Sequence, residues 1–177
     1  DTMAYSASAL AFLLEGLGKP VILTGSQIPV GRVRSDAVDN LVTALLIASG
    51  YPIAEVCLYF GGKLLRGCRA VKVNSSDMHA FDSPNYPLLG EAGIRIRMHW
   101  AAVRPRPPLD TPLVVRDIAN PLVGALRLTP GLNAHAVDAS LNAGFQGVVL
   151  ETYGGGTGPD RDTALIQALH EAAQRGL

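Results

Sequence analysis

Two polar chain ends lie close together in the first 27 residues. Asp1 and Thr2 precede a run in which Met3, Ala7, Leu10, Leu14 and Leu17 repeat at helical spacing. A carboxylate and a hydroxyl thus stand where the free N–H groups and positive dipole end of a helix favour them. Gly25 and Ser26 follow the apolar run Val21-Ile22-Leu23, which reads as a buried parallel strand. They therefore occupy the C-terminal end of a strand, where parallel sheets bind ligands. Lys72 ends a β-like segment in which Arg66, Cys68, Ala70 and Lys72 share one face, whereas Lys63 follows Gly61-Gly62 and reads as part of an exposed turn. The residues alone leave plainer readings open: Asp1 as a helix cap, Lys72 as a solvated strand-end lysine, Gly25-Ser26 as a capped turn, and Gln27, Arg32 and Arg34 as loop surface.

Gly154-Gly155-Gly156-Thr157-Gly158 lies between a strand and a helix but lacks the lysine of a phosphate-binding loop. Asp160 and Asp162 at the next helix start would repel phosphate, so a flexible turn is the expected reading. His79, His99, His135 and His170 show no ligand spacing, and no metal or other cofactor is implied.

These groups need a scaffold. The first helix is followed by the strand at 21–23. Ser35 is placed to cap a second helix whose apolar stripe is Val38, Leu41, Val42, Leu45 and Leu46, ended by Gly50-Tyr51-Pro52. Residues 55–60 read as the next strand. Alternating helix and strand predicts an α/β fold, a parallel sheet covered by helices on both faces, joined by right-handed crossovers. After a turn at Gly61-Gly62, residues 64–73 suggest a hairpin off the main sheet, 74–93 an ordered loop, and 94–98 a short strand. Pro105, Pro107, Pro108, Pro112 and Pro121 mark a linker. The expected organisation is a larger α/β domain over 1–103, a linker over 104–121 and a smaller α/β domain over 122–177. The last part reads as strand 122–128, helix 133–142, strand 146–152 and helix 161–175.

The segments Asp1-Thr2-Met3-Ala4-Tyr5, Lys19-Pro20-Val21-Ile22-Leu23-Thr24-Gly25-Ser26-Gln27-Ile28-Pro29, Arg34-Ser35-Asp36-Ala37-x-x-Asn40-Leu41 and Arg69-Ala70-Val71-Lys72-Val73 occur in this order. Together they resemble the L-asparaginase family, in its bacterial type I, or cytoplasmic, form. The family's central motif reads His-Gly-Thr-Asp-Thr and its nucleophilic threonine lies further upstream. This sequence opens at the Asp of that motif and stops at Arg175-Gly176-Leu177, where the family continues. The resemblance therefore implies a piece of an enzyme, inactive alone.

What the resemblance implies is a flavodoxin-like large domain followed by a small α/β domain, and hydrolysis of L-asparagine to L-aspartate and ammonia through a threonine acyl-enzyme. Asp1 would belong to a Thr-Lys-Asp relay and to the substrate site, with Lys72 as proton carrier. A carboxylate beside an ammonium favours its charged form while burial opposes it, so such a pair can set a lysine to exchange protons near neutral pH. Gly25 and Ser26 would bind substrate, the Ser26 carbonyl receiving the carboxamide, and Thr157 would lie in a loop near a neighbouring subunit's site. The implied partners are L-asparagine, with L-glutamine a weaker alternative, and further copies of the chain in a homodimer or homotetramer in the cytoplasm. Two rivals remain: the asparaginase-like subunit of an archaeal Glu-tRNA(Gln) amidotransferase, and a non-catalytic amino-acid sensor that keeps the fold.

Composition fits a folded enzyme domain. Of 177 residues, 48% are hydrophobic and 17% charged, enough apolar content for a sizeable core. Fifteen basic and fifteen acidic residues cancel, so no net field points to nucleic acid or an anionic membrane. No apolar run approaches the roughly 18 residues of a membrane helix. Cys57 and Cys68, without a C-x-x-C, read as two reduced thiols.

Overall fold

A computed structural model describes residues 1–117 and 121–177. The chain divides into two compact units, Asp1–Ile118 and Ala119–Leu177. Among the described residues, no helix is long and apolar enough to cross a membrane.

The first unit begins with α1 (Thr2–Leu13), capped by Asp1, whose Oδ1 accepts the Thr2 N–H at 2.9 Å. The helix stops at Leu14 and passes into β1 (Leu14–Glu15), then β2 (Val21–Leu23). In α2 (Ala37–Gly50) the N-cap residue is Asp36, but it is the Ser35 hydroxyl that accepts the Ala37 N–H, at 3.1 Å. There follow β3 (Val56–Phe60), β4 (Lys63–Arg66), a 3-10 turn (Gly67–Arg69), β5 (Val71–Lys72), β6 (Phe81–Asp82), β7 (Gly90–Ala92), β8 (Ile96–Met98) and β9 (Val114–Val115).

The main sheet runs β2-β3-β4-β7-β8. The α/β architecture is as expected, but only β2 and β3 pair in parallel, and the other three pairs are antiparallel. The reason is local. Gly61 and Gly62 adopt φ +55° and +83°, and two left-handed residues make a tight hairpin turn that returns β4 beside β3. The hairpin is thus built into the main sheet rather than hanging off it. The 3-10 turn then breaks the β-like run, so Lys72 lies in a separate ribbon in which β5 pairs antiparallel with β6. Gly67 permits the break: a Cβ there would lie 2.8 Å from the Val56 carbonyl oxygen and 3.1 Å from that of Ala7.

β3 is buried throughout, and its alternating side chains feed two cores. Cys57 and Tyr59 pack with Ala44, Ile47, Ile53, Leu64 and Leu89, on the side of α2. Leu58 and Phe60 pack with Ala4, Leu65, Ala70, Ala80 and Phe81, on the side of α1. Each leucine, isoleucine or phenylalanine among them contributes about 1.5–3 kcal/mol by leaving water. The expected inward stripe of α2 is corrected here: Val38, Leu41, Val42, Leu45 and Leu46 are exposed, and the helix buries Asn40, Ala44 and Ile47 instead. Residues four and three apart form that narrow face, and its polar member is held by the hydrogen bonds described below.

The proline-rich stretch carries contacts of its own. Val114 and Val115 pair antiparallel with Glu15 and Leu14, and the Arg116 N–H donates to the Leu13 carbonyl at 2.8 Å. Residues 118–120 of the expected linker lie outside the described residues. The second unit contains β10 (Val123–Arg127), α3 (Ala134–Leu141), β11 (Gly147–Glu151) and α4 (Thr163–Gln174). β10 and β11 pair in parallel. Asn133 caps α3 and Asp162 caps α4 through their side-chain oxygens. Val137, Leu141, Leu165, Ala168 and Ala172 make its core.

Candidate functional site

The first turn of α1 fixes Asp1, since the N–H groups of Ala4 and Tyr5 donate to its carbonyl at 2.9 and 3.3 Å. Lys72, far away in sequence, comes to the same place. Lys72 approaches the main-chain nitrogen of Asp1, while the Asp1 carboxylate is engaged by the Thr2 N–H at 2.9 Å. Lys72 is carried there by the β5–β6 ribbon, where it pairs in register with the buried Phe81. Lys63, by contrast, forms an ion pair with Asp82 at 3.4 Å.

Gly25 and Ser26 lie just beyond β2. The Thr24 hydroxyl donates to the Tyr59 carbonyl at 2.8 Å, anchoring the strand end to β3. A Cβ at Gly25 would sit 3.8 Å from Met3 Sδ and 3.9 Å from the Phe60 ring. Through Met3, then, the Gly25 turn meets the first turn of α1, and the structure gathers Asp1, Lys72 and the Gly25-Ser26 turn on one side of the first unit.

A polar knot behind the turn consists of residues that the sequence presented as a motif but not as site residues. The Asp36 carboxylate accepts the Gln27 N–H at 3.1 and 3.0 Å and the Ile28 N–H at 2.9 Å. Although desolvation pushes the other way, these bonds and one from Asn40 hold its carboxyl below the usual carboxylate value. Asn40 is 1% exposed. Its Nδ2 donates to the Gly25 carbonyl and to Asp36 Oδ2, both at 3.0 Å, and its Oδ1 accepts the Gly61 N–H at 3.1 Å. Gln27 is more than loop surface: its Nε2 donates to the carbonyls of Ser75 and Asp77 at 3.1 and 2.7 Å. The Asp-x-x-x-Asn spacing, one helical turn at the start of α2, is the signal that could have pointed to the knot.

Thr157 belongs to the second unit. There its carbonyl accepts the Tyr153 N–H at 2.9 Å and closes the glycine-rich loop, with Gly156 at φ +74°. Glu151, at the strand end before that loop, pairs with Arg127 at 3.0 Å on the neighbouring strand. A cavity of about 410 Å³ in the first unit is lined by Glu55, Arg66, Cys68 and Arg104, away from Lys72 and Ser26. It borders a buried ion pair in which Arg66 Nε and Nη2 meet Glu55 Oε2 and Oε1 at 2.5 and 3.0 Å. Both cysteines are free thiols, and burial pushes that of Cys57 up, with Glu55 adding to it. Among the described residues no group of three or more His, Cys, Asp or Glu side chains could hold a metal ion.

Comparison with known proteins agrees with this scaffold. Residues 1–104 match the family model "Asparaginase, N-terminal" and residues 122–177 match "Glutaminase/Asparaginase C-terminal domain". L-asparaginase 1 of Escherichia coli K12 is 45% identical over 177 residues, covering 100% of this chain and 52% of that protein. The human 60 kDa lysophospholipase is 46% identical over 177 residues, covering 100% and 30%. The crystal structure of L-asparaginase I from Vibrio cholerae superposes with a TM-score of 0.92 at 40% identity, covering 100% of this chain and 53% of that one. The chain thus spans about half the length, or less, of the relatives it matches. With both family models in register and the fold shared at that level, the chain belongs to the asparaginase family.

Proposed function

We propose that the full-length protein hydrolyses L-asparagine to L-aspartate and ammonia. The observation that supports this reading is the approach of the Gly25-Ser26 turn to the first turn of α1, where a Cβ at Gly25 would sit 3.8 Å from Met3 Sδ, with the Asp36–Asn40 hydrogen bonds holding the turn from behind. In this reading a threonine outside the chain attacks the side-chain carbonyl of asparagine. The C–N bond breaks, and ammonia leaves with the proton that the threonine hydroxyl gave up. Water then cleaves the acyl-enzyme, splitting one difficult step into two easier ones. Lys72 carries the proton, Asp1 orients and tunes Lys72 and contacts substrate, and the Ser26 carbonyl receives the carboxamide N–H. Thr157 contributes to the site of a neighbouring copy in a homodimer or homotetramer, which acts in the cytoplasm and needs no cofactor.

The test is ammonia release from L-asparagine by the full-length protein, with L-glutamine as competitor and a lysophospholipid as alternative substrate. Turnover of asparagine that falls at least about 100-fold in Lys72→Met, the scale of a lost proton carrier, supports the reading. Asparagine turnover untouched by Lys72→Met removes the relay, and lysophospholipid cleavage without ammonia release replaces the substrate class.

A further inference from the structure

The polar knot leaves the main-chain groups of one residue open. The Gly25 carbonyl is taken by Asn40, and the Gln27 and Ile28 N–H groups are taken by Asp36. Between them, among the described residues, neither the N–H nor the carbonyl of Ser26 has a hydrogen-bond partner. Main-chain groups are obligatory hydrogen-bonding groups, so an unpaired one flanked by tied neighbours is a presented one. The orientation of the Asn40 amide is fixed by its partners. Two acceptors, Gly25 O and Asp36 Oδ2, face Nδ2, and one donor, Gly61 N–H, faces Oδ1. A flipped amide would set oxygen against oxygen twice and N–H against N–H once.

We infer that Asn40 is a positioning residue that sets substrate recognition: by holding the Gly25 carbonyl away from the site, it presents the Ser26 carbonyl to the carboxamide N–H of the substrate. Asn40 does this without touching substrate. It also ties the turn to the Gly61 hairpin, whose carbonyl accepts from His79 Nδ1 at 3.1 Å, so hydrogen bonds link the turn, the hairpin and the loop around Asp77. A buried asparagine with all of its bonds satisfied is a rigid support, because breaking any one bond leaves a buried polar group unpaired. The inference rests on the asparaginase reading above and names the element that makes it amide-specific.

The test uses two ligands that differ at the recognised group. L-Asparagine offers an N–H to the Ser26 carbonyl; L-aspartate at pH 8 offers a carboxylate with none. In the full-length protein, Asn40→Ala should raise the asparagine KM about tenfold, the scale of one lost hydrogen bond, with kcat changed less and L-aspartate inhibition within about twofold of wild type. Asn40→Asp keeps the shape, sets a carboxylate against Asp36, and should show the same selective loss. Parallel weakening of both ligands, weakening of neither, or loss of the native circular dichroism spectrum in both variants would mean that Asn40 only supports the fold, and the inference is wrong. A wild-type protein without asparagine turnover fails the functional reading itself, and this inference with it; wild-type turnover with parallel losses fails this inference alone.

Discussion

Asp36 accepts the Ile28 N–H at 2.9 Å from across the loop that joins β2 to α2. The same carboxylate takes the Gln27 N–H, so its charge is worth more folded than unfolded, and its folded pKa lies below the unfolded value of 3.8. A depressed carboxyl contributes stability that is present above the unfolded value and is lost as pH falls through the folded one. Urea unfolding of the wild type should therefore show a loss below about pH 4 that Asp36→Asn lacks. At pH 7 the variant should be less stable by about 1–3 kcal/mol.

Lys72→Arg keeps a positive charge but removes the proton transfer proposed for Lys72. A guanidinium does not give up its proton in a protein, whereas an ammonium can. Asparagine kcat should fall as far in Lys72→Arg as in Lys72→Met. Because Lys72 is exposed here, both variants should melt within about 0.5 kcal/mol of wild type.

Glu55 and Arg66 are 5% and 8% exposed and satisfy each other, with Arg66 also donating to the Ala102 carbonyl at 2.9 Å. Removing one partner strands the other charge. Glu55→Ala should cost about 3–5 kcal/mol, read as a lower urea midpoint. Replacing both residues with leucine should cost less than the single change, since no buried charge is then left unpaired.

Gly67→Ala would force a methyl group to within 2.8 Å of the Val56 carbonyl oxygen and 3.1 Å of the Ala7 carbonyl oxygen. Both neighbours are backbone, of β3 and α1, and neither can swing away. Thermal unfolding should show a loss of about 1–3 kcal/mol. Asparagine turnover should fall too, because the 3-10 turn delivers Lys72.

The sequence was most legible where structure is set locally. Asp1, Asn133 and Asp162 cap the helices they precede, and a cap needs only its own first turn. The strands β3 and β11 were equally plain, as short apolar runs bounded by breakers. Non-local accounting was hidden. Asn40 is polar and yet faces inward, because its partners Gly25 and Gly61 come from other strands' ends. The more apolar Leu41 and Leu45 face outward. Lys72 was placed on an unbroken strand because the close approach that requires Gly67 involves a helix sixty residues away in sequence. The pairing of Lys72 with Asp1 was suggested only by the family likeness, since no local pattern links the two residues.

The short β1–β9 ladder alters what the proline-rich stretch is. With Val114 and Val115 laced to Glu15 and Leu14, the prolines from 105 to 112 enclose a surface loop of the first unit and add no length to a tether. Extra residues spliced in there would enlarge that loop, at a closure cost that grows only slowly with length. The ladder would still close that loop at Val114 and Val115, so such an insertion would be confined to the surface of the first unit.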